Sequence, residues 1–115
     1  MENVVEGKSF AFAVRIVKLC RILADRNKEY VLSKQLLRSG TSIGANISEA
    51  EKGQSKADFY AKMSIALKEA NETHYWLRLL HETEYLSDKE FYSMEKDIKE
   101  IISLLVSICK TRSKE

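Results

Sequence analysis

The sequence predicts an all-α protein folded as an antiparallel up-down-up-down four-helix bundle. Three observations carry that prediction. Apolar residues recur at steps of three and four almost throughout the 115 residues, which is the period of an amphipathic helix. Proline is absent and glycine occurs four times, so little interrupts a long helix. The periodic stretches are joined by short polar turns, which favour antiparallel neighbours. One domain, residues 1–115, suits this length and leaves enough chain to bury an ordinary core.

The first helix is expected over residues 9–26. Phe12, Ala13, Ile16, Leu19, Cys20 and Leu23 fall on one broad arc, and Asp25-Arg26-Asn27-Lys28 ends it. The second is expected over residues 30–51, with Leu32, Leu36, Ser39, Ile43, Ile47 and Ala50 as its stripe. Gly40 and Gly44 lie inside it, each at a cost of about 1 kcal/mol relative to alanine. Either this helix is weak or bent, or its small residues (Ser39, Gly40, Gly44, Ala45) admit a close neighbour; the second reading is favoured. Gly53 marks the next break, and Ser55 is an N-cap candidate with Asp58 three residues on. The third helix then spans residues 56–84, with Phe59, Met63, Ala66, Ala70, Leu77 and Leu80 facing the core. Ser87-Asp88-Lys89-Glu90 reads as a capping box opening the fourth helix, residues 88–111. Phe91, Met94, Ile98, Ile101, Leu105 and Ile108 form its seam, and the tail from Lys110 is expected to fray.

Two cysteines, Cys20 and Cys109, fall near opposite ends of such a bundle, on the order of 20 Å apart by helix rise, too far for a disulfide. No apolar run approaches the ~20 residues of a membrane span, and no signal-peptide pattern opens the chain. A cytoplasmic protein without a membrane role is the expectation.

Net charge is only +2, but it is unevenly spread: residues 1–40 carry +4 and residues 41–115 carry −2. Arg15, Lys18 and Arg21 on the first helix, with Lys34 and Arg38 on the second, lie off the core arcs. They are either solvated helix faces or contacts for nucleic acid. Lys110, Arg112 and Lys114 add a basic cluster at the end. The third helix has a second apolar row, Ala61, Ile65, Trp76 and Leu79, and the first places Val14 and Ile22 outside its arc. Ile65, Trp76 and Leu79 are therefore candidates for a self-association surface, with Trp76 as anchor; scattered surface apolar residues are the alternative.

The run Gln35-Leu36-x-Arg38-Ser39, then Ser42-Ile43-Gly44-Ala45-Asn46-Ile47-Ser48-Glu49-Ala50, then Phe59-Tyr60, Ala66-Leu67-Lys68-Glu69-Ala70-Asn71-Glu72-Thr73 and Tyr75-Trp76-Leu77, resembles a known family. It is the four-helix bundle family that includes proteins encoded in the intervening sequences of bacterial 23S rRNA genes. The accessory proteins of diversity-generating retroelements look similar too. Ser48 and Ala50 depart from the alanine and glycine common in that family. The resemblance implies a homo-oligomer, commonly a homopentameric ring, and no enzymatic activity. For the retroelement relatives it implies binding to RNA or DNA and to a reverse transcriptase.

Asn46, Glu49, Glu69 and Glu72 are the polar set of most interest. They would make either an inter-helix network that fixes register or a carboxylate or metal site. The network is favoured, because di-metal bundles supply Glu-x-x-His motifs from two helices and here Glu-x-x-Glu occurs once without histidine. His74 and His81 are about 10 Å apart along the helix and do not chelate one ion. No phosphate loop, nucleophile elbow or metal-ligand cluster appears. The expectation is a non-enzymatic, cofactor-free and metal-free oligomer that binds nucleic acid non-specifically or assists a nucleic-acid enzyme. A protein–protein scaffold is the alternative.

Overall fold

The computed structural model describes residues 2–112, and within them the chain forms α1 (Glu2–Asn27), α2 (Val31–Glu51), α3 (Lys56–Glu82) and α4 (Asp88–Arg112). Each helix packs on its neighbour in sequence and α4 returns to α1, giving the up-down-up-down bundle. Its 47 × 21 × 19 Å extents suit helices of this length. The predicted seams supply the core: Phe12, Ile16, Leu23, Leu36, Ile43, Ile47, Met63, Leu77, Leu80, Ile98, Ile101 and Leu105 are all fully buried.

α1 starts earlier than the sequence suggested. Val5 is buried on the same arc as Phe12, one heptad on. Val4 and Val5 are followed by Glu6, Gly7, Lys8 and Ser9 before apolar residues resume at Phe10, which makes that extra turn hard to see. Ser9, expected at the helix start, is buried inside it and donates its hydroxyl to the Glu6 carbonyl at 2.9 Å.

The turn into α2 rests on Glu29. Lys28 adopts a left-handed φ of 55°, which turns the chain so that the Glu29 N–H reaches back to the Leu23 carbonyl at 3.2 Å. The Glu29 carboxylate then accepts from the Leu32 and Ser33 N–H groups at 2.9 and 2.8 Å. Burial pushes its pKa up, but those backbone donors outweigh burial and hold it below the ordinary carboxylate range. Tyr30, at the cap position, supplies no side-chain bond.

The glycines of α2 lie where α1 comes close. A Cβ added at Gly40 would stand 2.9 Å from both γ carbons of Ile16, and one at Gly44 would stand 3.3 Å from the Ser9 hydroxyl. Close approach is thus the reading the structure supports.

In α3 the Ser55 hydroxyl accepts from the Asp58 N–H at 3.1 Å, as its spacing predicts. Tyr60 rather than Phe59 enters the core, with Phe59 half-buried against it edge-on. Buried Thr73 extends the stripe between Ala70 and Leu77, and its hydroxyl meets that of Ser39 on α2 at 3.0 Å. The helix ends at Glu82, two residues short of expectation, in a Schellman motif: Tyr85 N–H to Leu80 O at 2.9 Å and Glu84 N–H to His81 O at 3.1 Å. Glu84 takes the left-handed position with φ 68°. The capping box follows, with Ser87 Oγ accepting from Glu90 N–H at 3.1 Å and Glu90 Oε1 accepting from Ser87 N–H at 2.9 Å.

α4 does not fray at Lys110. It runs on to Arg112, whose guanidinium lies 5.8 Å from the Tyr60 ring centre. Lys114 lies outside the described residues. Cys20 and Cys109 are free thiols; Cys20 is buried, donates to the Ser33 carbonyl, and has its pKa pushed up to about 11 by burial and by Glu29.

Candidate nucleic-acid interface

The five basic residues singled out in the sequence do not form one patch. Arg15 and Lys18 line a shallow groove on the α1/α4 side together with Ile22 and Glu90. Arg15 is engaged there: its guanidinium donates to Asp97 Oδ2 at 2.5 Å and to Ser93 Oγ at 2.7 Å. Arg26–Glu90 at 3.1 Å and Lys8–Glu100 at 3.3 Å tie the same seam, where the helices approach least closely. Arg21 and Lys34 line a groove of about 400 Å³ between α1 and α2, floored by Val17, Cys20 and Ala24 and walled by Tyr30 and Leu37. Lys18, Arg21 and Lys34 are exposed and, among the described residues, form no ion pair.

Arg38 stands apart at the α2/α3 edge. It pairs with Glu69 at 3.2 Å and also with Glu72. The Trp76 indole N–H donates to Glu72 at 2.9 Å. That bond, with help from Arg38, outweighs burial and holds the Glu72 pKa below its ordinary value. Glu69 and Glu72 therefore belong to a cluster with Arg38 and Trp76, across α2 and α3. Asn46 and Glu49 are elsewhere: the Asn46 amide donates to the Ser42 carbonyl of its own helix at 2.8 Å, and Glu49 pairs with Lys62 at 3.0 Å. The predicted four-membered polar network is thus three separate arrangements, and the buried polar contact between α2 and α3 is Ser39–Thr73. His74 bonds Glu95 at 2.8 Å and His81 bonds Asp88 at 2.7 Å, each linking α3 to α4 or its start. Among the described residues no three His, Cys, Asp or Glu are grouped to hold a metal ion.

Apolar exposure is greatest outside the Ile65, Trp76 and Leu79 row. Trp76 and Leu79 are half-buried, Trp76 against the core, and only Ile65 of that trio is exposed. On α1, Phe10 is 71% exposed although Phe12 beside it is 1% exposed. Phe10, Val14, Val17 and Arg21 follow steps of four, three and four, so they share one outward stripe. Exposed Leu37 adjoins it from α2, across the groove that Val17 and Arg21 line. The spacing of this stripe was present in the sequence, but the stronger inward arc of α1 masked it. α1 therefore carries apolar residues on its outward as well as its inward face.

No helix among the described residues is long and apolar enough to cross a membrane. A family model described as 23S rRNA-intervening sequence protein matches residues 1–107. No curated protein matches the chain. Among solved structures, a protein of unknown function of the S23 ribosomal protein family from Bacteroides thetaiotaomicron is 60% identical, with 95% of this chain and 97% of that one covered and a TM-score of 0.93. With the whole bundle matched in sequence and in shape, the chain belongs to the 23S rRNA-intervening sequence protein family.

Proposed function

We propose that this chain is a non-enzymatic, homo-oligomeric binding module that holds nucleic acid by its phosphates, without reading sequence. The observation that carries the reading is the outward stripe of α1, where Phe10, Val14 and Val17 run into Arg21 beside unpaired Lys18 and Lys34. One subunit offers too few cations for tight binding at a net charge of +2. Repetition around an assembly multiplies the contacts, and phosphate affinity scales with their number. Two apolar patches on diagonal helices, Phe10 and Val14 on α1 against Ile65, Trp76 and Leu79 on α3, suit a head-to-tail contact. Such contacts close into rings, and five members is the number the family resemblance implies. The partner would be RNA or DNA, alone or as part of a complex with a nucleic-acid enzyme such as a reverse transcriptase.

Filter binding of a duplex at several salt concentrations tests the reading. Each lost phosphate contact should reduce the slope of log K against log salt by about 0.9. Replacing Lys18, Arg21 and Lys34 together by alanine therefore flattens it by about 2.7 if each makes one contact. Affinity that ignores both salt and this substitution would leave the second reading, a protein–protein scaffold, which the exposed Phe10 and Val31 favour.

A further inference from the structure

Between α3 and α4, away from the basic residues above, lies a cleft of about 550 Å³. Tyr75 and Tyr92 line it, and both keep more than half of their surface exposed. Its base is set by His81, which stacks on Phe91 at 4.2 Å with the rings 4° from parallel, while Tyr92 meets the same imidazole edge-on at 5.7 Å. The Asp88 carboxylate fixes the His81 ring at 2.7 Å. Glu95 lines the cleft too, but its carboxylate is occupied by His74 at 2.8 Å. Two further polar residues of the lining, Arg78 and Glu82, are exposed and, among the described residues, form no ion pair, though the Arg78 charge helps to hold the Glu95 carboxylate below its ordinary range.

We propose that this cleft binds an unpaired guanine nucleotide, with the base against Tyr75 and Tyr92, Glu82 on its Watson–Crick edge and Arg78 on its phosphate. Flat π-faces with exposed tyrosines are the means by which proteins hold bases that have left a helix. A carboxylate only accepts hydrogen bonds, and guanine alone presents two adjacent N–H donors, N1–H and the 2-amino group, to it. A cationic guest would also suit aromatic rings and a carboxylate, so a small quaternary ammonium ion is the control that separates it from a nucleotide. A base carrying a phosphate gives Arg78 a partner. The proposal rests on the nucleic-acid reading and adds to it a site that grips a single-stranded or looped-out residue.

Trp76 is the chain's one tryptophan and its indole lies 5.1 Å from the Tyr75 ring, so its fluorescence reports the cleft. Titration of the full chain with GMP, AMP and tetramethylammonium chloride is the test. The expected result is a saturable change with GMP, at least tenfold weaker with AMP and absent with tetramethylammonium. Tyr92→Ala should weaken GMP binding by about 5- to 150-fold, the range of one base–aromatic stack. Glu82→Gln, at an exposed position that does not threaten folding, should remove the preference over AMP. No response to any nucleotide, equal response to GMP and AMP, or a response to tetramethylammonium alone would overturn the proposal. These mononucleotide results do not depend on Lys18, Arg21 and Lys34, so the cleft and the phosphate-binding face succeed or fail separately.

Discussion

Alanine at Gly40 should destabilise the bundle, while the same substitution at Gly7 should stabilise it. Both exchanges gain about 1 kcal/mol of intrinsic helix preference. They differ in what the new methyl group meets. At Gly7 there is nothing within 4 Å, and at Gly40 the two γ carbons of Ile16 lie at 2.9 Å and its δ carbon at 3.1 Å. Both γ carbons are bonded directly to the Ile16 Cβ, and a β-branched side chain in a helix has one strongly preferred rotamer. The clash is relieved only by moving α1 away from α2, an overpacking cost of about 1–3 kcal/mol. The net expectation is a loss of up to about 2 kcal/mol at Gly40 against a gain of about 1 kcal/mol at Gly7. Gly44, where Ser9 must yield by a few tenths of an ångström, should fall between them. Urea unfolding followed by circular dichroism resolves the series, since slopes of about 1–3 kcal/mol per molar convert these differences into shifts of up to about 1–2 M. On an Ile16→Ala background, Gly40→Ala should become neutral or stabilising, with a coupling of about 1–3 kcal/mol. If Gly40→Ala matched Gly7→Ala, or if the coupling vanished, the close α1–α2 approach would be refuted.

Ile98→Ala, which removes a fully buried side chain, should cost about 2–5 kcal/mol in the same urea assay. Glu84→Gly should raise stability by about 0.5–1 kcal/mol, because glycine relieves the left-handed φ of 68° at a smaller entropic cost. Glu29, Glu72, Glu90 and Glu95 all have pKa values held below 4.5: Glu29 by backbone donors, Glu72 mainly by Trp76, Glu90 by the Ser87 N–H and Glu95 by His74. A depressed folded-state pKa gives stability that is present above the unfolded value and lost as pH falls through the folded one. Thermal melting should thus hold steady from neutral pH to about 4.5 and decline below it, and a melting temperature that rose on acidification would contradict the assignment. Cys20, with a thiol pushed up to about 11 and buried, should resist an aromatic disulfide reagent until urea unfolds the chain.

The fold was legible because each core position repeats a local rule that no other part of the molecule overrides. Leu36, Ile43 and Ile47 declare their shared face by spacing alone, and Ser55 and Ser87 declare helix starts by the residue three places on. The misses have physical causes. Glu29 caps α2 through a turn that needs Lys28 in a left-handed conformation, for which glycine is the usual marker. Thr73 lies on the core stripe but is polar, and only its contact with Ser39 on another helix explains its burial. The candidate site was less legible, since ion pairing depends on neighbours distant in sequence. Arg15 and Arg38 look like Lys18 and Lys34 along the chain, yet Asp97, Glu69 and Glu72 engage the first two and leave the others free. Phe10 is hard to single out in the sequence because Phe12, two residues away, dominates the pattern of α1.

Static light scattering on the purified chain bears most directly on the claim that the outward stripe of α1 is covered by further copies. A mass several times the 13.2 kDa of one subunit is expected, about fivefold for the proposed ring, collapsing towards a single subunit in Phe10→Ser while helicity is retained. A wild-type mass of 13.2 kDa at micromolar to millimolar concentration, with Phe10 left in water, would contradict the account.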